Sequence, residues 1–354
     1  MFFLSIGEIK TWKTLSEYIL KEQSEPSEYF YKEIHPSLKA PFHFFIGCLL
    51  ASSGFIELAK KWFITGVFFE EGGVFANTFM LSFLKRHNNR LIKPAIVFND
   101  PKPYIHFTTT SLIKKSRENF LLHCSHSIPR FKKPFRFMDI GCGDGSLTVD
   151  FLKNLREFGL IGDIEEILLI DSSAGMLIVA EDIVRENFPD SEIRIVNQRF
   201  EDYSSKIDRK YDLALSSLAY HHMPYEKKLI NLKILRNFIE YFVLFELSAN
   251  NDTPQLNSPE MLCSLYQSYG KLIDFVFSND APIELAEICV DNFIMVELVS
   301  FLTEVRGLRS DYHMLRVQWH DLFLKGLGPA LTCLTNSSAY SDEYIELFTM
   351  IYGK

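Results

Sequence analysis

Apolar residues change their spacing about a third of the way along the chain. Up to residue 105 they recur at helical intervals, as in S-E-P-S-E-Y-F-Y-K-E-I, F-I-E-L-A-K-K-W-F and F-A-N-T-F-M-L-S-F-L-K-R, with breaks at Gly72-Gly73 and Asn88-Asn89. Helices packed by one face give that period, so this segment is expected to form a small helical bundle. F-N-D-P-K-P-Y, residues 98 to 104, joins two prolines to an Asn-Asp pair, the composition of a linker or tight connection. The boundary between two domains, 1-105 and 106-354, is placed there.

Beyond it short apolar runs alternate with amphipathic stretches. A capped helix, T-T-S-L-I-K-K-S-R-E-N-F-L-L-H-C, leads to the strand F-R-F-M-D-I, then to the helix S-L-T-V-D-F-L-K-N-L-R-E-F and the strand E-I-L-L-I-D. The helix A-G-M-L-I-V-A-E-D-I-V-R-E-N-F, the strands I-R-I-V-N and Y-D-L-A-L-S-S-L, the helix E-K-K-L-I-N-L-K-I-L-R-N-F and the strand Y-F-V-L-F-E-L follow. This order predicts a doubly wound α/β fold with a mostly parallel sheet covered on both faces. P-A-L-T-C-L-T-N and Y-I-E-L-F-T-M-I-Y bring the sheet to seven strands and read as an antiparallel edge pair. A helical insertion, about 252-328, precedes them and is expected at the carboxyl edge of the strands, where such sheets bind ligands.

Composition narrows the class of partner. With 47% hydrophobic and 23% charged residues among 354, the chain is expected to fold throughout. A net charge of −8 argues against nucleic acid, which selects clustered Lys and Arg. Six scattered cysteines without a C-x-x-C pair, and no basic-then-apolar leader, point to reduced thiols and a cytoplasmic location. Ala40 to Ile56 carries no Asp, Glu, Lys or Arg and touches the lower end of the roughly 17 to 25 residues that span a bilayer. Pro41, His43, Ser52, Ser53 and two glycines dilute it, so a buried core helix is expected and no stable membrane insertion.

The candidate chemistry begins at D-I-G-C-G-D-G, residues 139 to 145, where a strand gives way to a helix through Gly141, Gly143 and Gly145. Such a turn aims backbone N–H groups and the positive helix terminus at a polar ligand, and side chains would block the approach. The order is G-x-G-x-G, with Ser146 where the dinucleotide fingerprint G-x-G-x-x-G has its third glycine, which disfavours an NAD(P)-dependent oxidoreductase.

These residues, with Asp171 in L-L-I-D-S-S-A-G-M-L and the turn in Y-D-L-A-L-S-S-L-A-Y-H-H-M, resemble the class I S-adenosylmethionine-dependent methyltransferases of the small-molecule branch. The resemblance covers residues 105 to 250, the last strands by topology only, and not the first hundred residues. It implies a Rossmann-like methyltransferase sheet and S-adenosyl-L-methionine as cofactor, with S-adenosyl-L-homocysteine as product. Asp139, Gly141, Gly143 and Gly145 would line the methionine end, Asp171 with Ser172 beside it would meet the ribose hydroxyls, and Ser216 and Ser217 would face the amino group and the methyl. Where the family often has an acid for the adenine amino group, this chain has Arg199 and Phe200, and arginine cannot accept a hydrogen bond. Either Glu201 or Asp202 takes over, or the Phe200 backbone and stacking hold the base.

Methyl transfer mainly needs alignment, and only some acceptors need a base. His222 and His221 follow strand four, and Glu246 ends strand five, so these three are the catalytic candidates, each with a packing role as its alternative. His123-Cys124-Ser125-His126 does not converge on one helix face, and no metal is expected. Polynucleotide methyltransferases tend to carry Asp or Asn before Pro-Pro-Tyr where this chain has S-S-L-A-Y. The acceptor is therefore expected to be a small molecule, and a hydrophobic one, since 14 of 32 phenylalanines fall in the first hundred residues. Those helices and the insertion could cap an aromatic pocket, or the helices could support a homodimer. A catalytically silent cofactor-binding protein whose helical domain binds a partner is the remaining alternative.

Overall fold

The computed structural model describes residues 1–94, 101–252 and 254–354. Its centre is a seven-stranded sheet, from β1 (Phe135–Ile140), β2 (Ile164–Asp171), β3 (Glu192–Asn197), β4 (Tyr211–Ser217) and β5 (Ile239–Ser248) to β6 (Thr332–Ser341) and β7 (Glu346–Gly353). Their order is β3-β2-β1-β4-β5-β7-β6, with the first five parallel and β7 antiparallel to both β5 and β6. The two last strands do form a hairpin, and its second strand is the one that joins the sheet, leaving the polar T-C-L-T-N-S-S at the edge. The central strands are buried on both faces, which their unbroken apolar runs require.

The N-terminal helices are α1 (Ile6–Glu22), α2 (Glu28–Tyr31), α3 (Lys39–Ser52), α4 (Ile56–Val67) and α5 (Ala76–Arg86), followed by α6 (Pro101–Thr108) and α7 (Ser111–Ser127). Around the sheet lie α8 (Ser146–Glu157), α9 (Ala174–Asn187), α10 (Phe200–Tyr203) and α11 (Tyr225–Leu235). The expected insertion contains α12 (Pro259–Phe277), α13 (Ile283–Val290), α14 (Val296–Thr303) and α15 (Arg316–Leu327), with a π turn at Asp291–Met295 between α13 and α14. Side-chain caps start several of them: Ser173 Oγ accepts from Met176 N in α9, and Ser258 Oγ from Met261 N in α12, where Pro259 occupies the first helical position.

Ala40–Ile56 falls on α3, whose Phe42, Phe44, Phe45 and Ile46 are all buried, and among the described residues no helix is long and apolar enough to cross a membrane. Of the proposed linker, residues 98–100 lie outside the described residues, while Pro101 to Tyr104 begin α6. Two prolines in a first turn are tolerated because those N–H groups have no intrahelical acceptor. The bundle packs on the insertion: Phe44 meets Tyr266 of α12 edge-on at 5.7 Å, Arg86 bonds both carboxylate oxygens of Asp291 at 2.5 and 2.9 Å, and Gln267 closes on the Phe2 backbone at 2.8 and 2.9 Å.

One charge is built into the sheet. Glu166 on β2, fully buried, accepts from Arg194 at 3.1 Å, Arg209 at 2.7 Å and Tyr211 Oη at 2.7 Å. Burial alone would raise its pKa, but the bonds from Arg209, Tyr211 and Arg194 outweigh burial and hold it below the usual glutamate value.

Candidate active site

At the carboxyl ends of β1, β2 and β4 opens a cleft of about 480 Å³. Its floor is the glycine turn. Gly143, at φ +55°, donates its N–H to Asp171 Oδ2 at 3.1 Å, and a Cβ there would sit 2.5 Å from the Tyr104 hydroxyl. Gly141 also lines the cleft, whereas Gly145 does not: a Cβ on Gly145 would lie 2.9 Å from Ala180 Cα, so that glycine lets α8 approach α9.

Asp139 and Asp171 flank the turn. Asp139 is buried, its Oδ2 accepts from Thr148 Oγ1 at 2.5 Å, and its Oδ1 has no hydrogen-bond partner among the described residues. Burial, opposed by the Thr148 bond and reinforced by the Asp171 charge, pushes its pKa up to about 7. Asp171 Oδ1 accepts from Ser173 N at 2.8 Å and the Ser172 N–H also bonds the carboxylate, which leaves it one further acceptor position. Burial raises the Asp171 pKa against the lowering bonds from Ser173, Gly143 and Ser172.

Ser172, Ser217 and Phe200 line the cleft, and Ser216 does not. Strand alternation puts Ser216 on the opposite face of β4 from Ser217, where its fully buried hydroxyl donates to the Ile140 carbonyl at 3.1 Å. Arg199 and Glu201 are on the wall, joined by an ion pair at 2.8 Å, and Asp202 is not on it.

His221 and His222 lie on a 3₁₀ turn after β4. His221 Nδ1 is 2.9 Å from Glu246 Oε2, and Glu246 Oε1 also accepts from the N–H groups of Ala219 and His221 at 3.2 Å each. Glu246 is fully buried and stands behind His221, outside the cleft wall. His222 Nδ1 is 2.9 Å from the Ser310 carbonyl, which can only accept, so Nδ1 carries the hydrogen and Nε2 the lone pair. Burial lowers both imidazole pKa values to about 4, aided at His222 by His221, and both rings are neutral at pH 7. His123 and His126, on α7, do not reach the cleft.

The insertion supplies further groups, of which only Asp311 and His313 stand close together in sequence. Residues 310–314 are tied over the strand ends by Tyr312 N to His221 O at 2.8 Å and Asn251 N to His313 O at 3.1 Å. His313 stacks on His221 with ring centroids 3.9 Å apart. Tyr269 Oη lies 2.8 Å from Glu297 Oε2 and 2.5 Å from Asp311 Oδ2. Opposite them, Phe107 stacks on Phe293 at 5.5 Å and Tyr104 meets Phe293 at 6.1 Å, forming an aromatic wall. The π turn presents Asn292, Phe293 and Ile294 to the cleft.

Residues 137–237 match the family model described as a methyltransferase domain. A probable S-adenosylmethionine-dependent methyltransferase of Saccharomyces cerevisiae, CRG1, is 29% identical over 174 residues, which are 48% of this chain and 55% of that protein. The matched segment thus spans about half the length of that curated relative. Among solved structures, magnesium protoporphyrin IX methyltransferase from Synechocystis, with bound S-adenosylhomocysteine, aligns at 12% identity and a TM-score of 0.42, over 73% of this chain and 96% of the other. The cyclopropane synthase MmaA2 of Mycobacterium tuberculosis aligns at 10% identity and a TM-score of 0.41, over 66% and 82%.

Proposed function

We propose that this chain, whose residues 137–237 match a methyltransferase domain, is an S-adenosylmethionine-dependent methyltransferase that moves a methyl group to oxygen, nitrogen or carbon of a small acceptor with a hydrophobic body. The observation that carries this reading is the continuity of one cleft. The glycine turn and Asp171 lie in the same cavity as the two histidines and the aromatic wall.

The residues fit the cofactor. Asp171 keeps an acceptor position on the cleft wall suited to a ribose hydroxyl, Gly143 puts no side chain on the turn beside the Tyr104 hydroxyl, and the buried Asp139 Oδ1 has no donor among the described residues. When bound, S-adenosylmethionine supplies an electrophilic methyl group and is left as S-adenosylhomocysteine. Phe200 and the Arg199–Glu201 pair border the adenine end, where the paired Glu201 carboxylate is an available acceptor for an amino group. The aromatic wall excludes water and aligns the acceptor body. His221, oriented by Glu246, and His222 present neutral rings toward the reacting atom, able to hold or remove its proton.

The N-terminal helices are assigned a bracing role behind the insertion, because they contact α12 and the π turn; pairing of two copies through them is the other use they allow. Six cysteines, none in a disulfide, suit a reducing cytoplasm. Incubation with methyl-labelled S-adenosylmethionine and a panel of phenols, aliphatic amines and aryl carboxylic acids tests the activity. Label in an organic-extractable product supports it. Cofactor binding with no transfer to any acceptor, by a chain that binds hydrophobic small molecules, would count for a silent binding protein.

A further inference from the structure

Three groups on the cleft wall converge on one point. One ligand atom from each of His221, His222 and Glu297 lies within 4.8 Å of the others. Both rings have Nδ1 engaged from behind, His221 by the Glu246 carboxylate and His222 by the Ser310 carbonyl, each at 2.9 Å. That leaves Nε2 of both with a lone pair, and a carboxylate or carbonyl on the far nitrogen is the arrangement that orients metal-binding histidines.

Further acidic and imidazole groups lie beside this point. The Tyr269 hydroxyl lies between two acidic groups, Glu297 at 2.8 Å and the fully buried Asp311 at 2.5 Å, which also hydrogen-bond each other. His313, buried, has no hydrogen-bond partner for Nδ1 among the described residues, and its Nε2 is 3.7 Å from Asp311 Oδ1, beyond hydrogen-bond reach. With His221, this pair forms a second group whose ligand atoms fall within the same 4.8 Å. Of the nearby cations, Lys228 donates to the Tyr312 carbonyl at 2.5 Å under the Trp319 ring with its charge within reach of Glu246 and Asp311, Arg309 lies over Phe301, and Arg199, paired with Glu201, donates to the His222 carbonyl at 3.2 Å, so none of the three donates a hydrogen bond to Glu297.

We propose that His221, His222 and Glu297 hold a divalent transition-metal ion of the zinc, manganese or iron(II) kind in the cleft, with Glu246 as a positioning residue and Asp311 and His313 bordering the site. Two imidazoles and one carboxylate, with positions left open toward the cavity, suit such ions. Metal bonds of about 2.0–2.2 Å put ligand atoms roughly 3 to 4 Å apart, so small rotations of these side chains close the set. The ion would then activate an acceptor oxygen or nitrogen in place of a free imidazole. This inference does not depend on methyl transfer.

The test uses the untagged full chain after chelator treatment and dialysis, titrated with Co(II) by visible absorption and with Zn(II) by calorimetry. One equivalent of each, with Zn(II) displacing Co(II), is expected. Glu297→Gln and His222→Ala, each checked by circular dichroism, should weaken uptake about 100-fold or more, and Glu246→Gln about 10- to 100-fold. Should one variant fail to fold, the other reads the same site. No saturable uptake by the wild type, or unchanged affinity in both ligand variants, overturns the proposal. Saturable binding of hexylammonium without metal uptake also overturns it, and assigns the carboxylates to an amine. S-adenosylhomocysteine binding measured on the same sample keeps the readings apart: binding without metal uptake sinks the metal site alone, and metal uptake without binding sinks the methyltransferase reading alone.

Discussion

At Gly143 any side chain would meet the Tyr104 hydroxyl. Gly143→Val would force a branched side chain into φ +55° and against the Tyr104 hydroxyl. It is expected to abolish S-adenosylhomocysteine binding while the far-ultraviolet circular dichroism spectrum stays that of a folded chain; retained affinity would remove the turn from the site. At the other end, His222→Ala should lower kcat by about 10² to 10⁴ and leave cofactor affinity alone. An unaltered kcat with any accepted substrate would reduce His222 to a packing residue. Glu246→Gln should lower kcat as well, through the His221 ring that Glu246 orients from outside the cleft wall.

Secondary-structure elements explain what could and could not be read from the residues in order. The strands were legible because burial on both faces demands unbroken apolar runs, and Asp171 because it ends such a run. Ser216 and Gly145 were assigned to the cofactor from the resemblance, yet strand alternation puts the first on the opposite face of β4 from Ser217 and helix packing claims the second. Glu297, Asp311 and His313 were missed because they meet His221 only through the fold of the insertion; His313 with Asp311 in S-D-Y-H was the sole local hint. The same reliance on distant partners makes Glu166 a test of the sheet. Its depressed pKa contributes stability that is present above the unfolded glutamate value of about 4.3 and is lost as pH falls through the lower folded value. Glu166→Gln is thus expected to cost about 1 to 3 kcal/mol at pH 7 and to flatten the fall of Tm below about pH 4.5. Parallel Tm curves for wild type and variant would contradict that role.

For the whole molecule, the N-terminal helices and the cleft are mechanically linked. Arg86 grips Asp291 at the start of the π turn that carries Phe293, and Phe44 and Gln267 join the bundle to α12. Deleting residues 1–94 would bare the apolar side of α12, so the shortened chain is expected to lose cooperative thermal unfolding and to aggregate in size-exclusion chromatography. A soluble, cooperatively folding truncation would show instead that the bundle is a dispensable module. The central claim, that one cleft binds S-adenosylmethionine against Asp171, is tested most directly by calorimetric titration of S-adenosylhomocysteine into the wild type and Asp171→Ala. The account predicts one saturable site, weakened in the variant by about 2 to 3 kcal/mol through lost charged hydrogen bonds. Equal affinity in both proteins, or tight NAD binding with none of the homocysteine nucleoside, would contradict it.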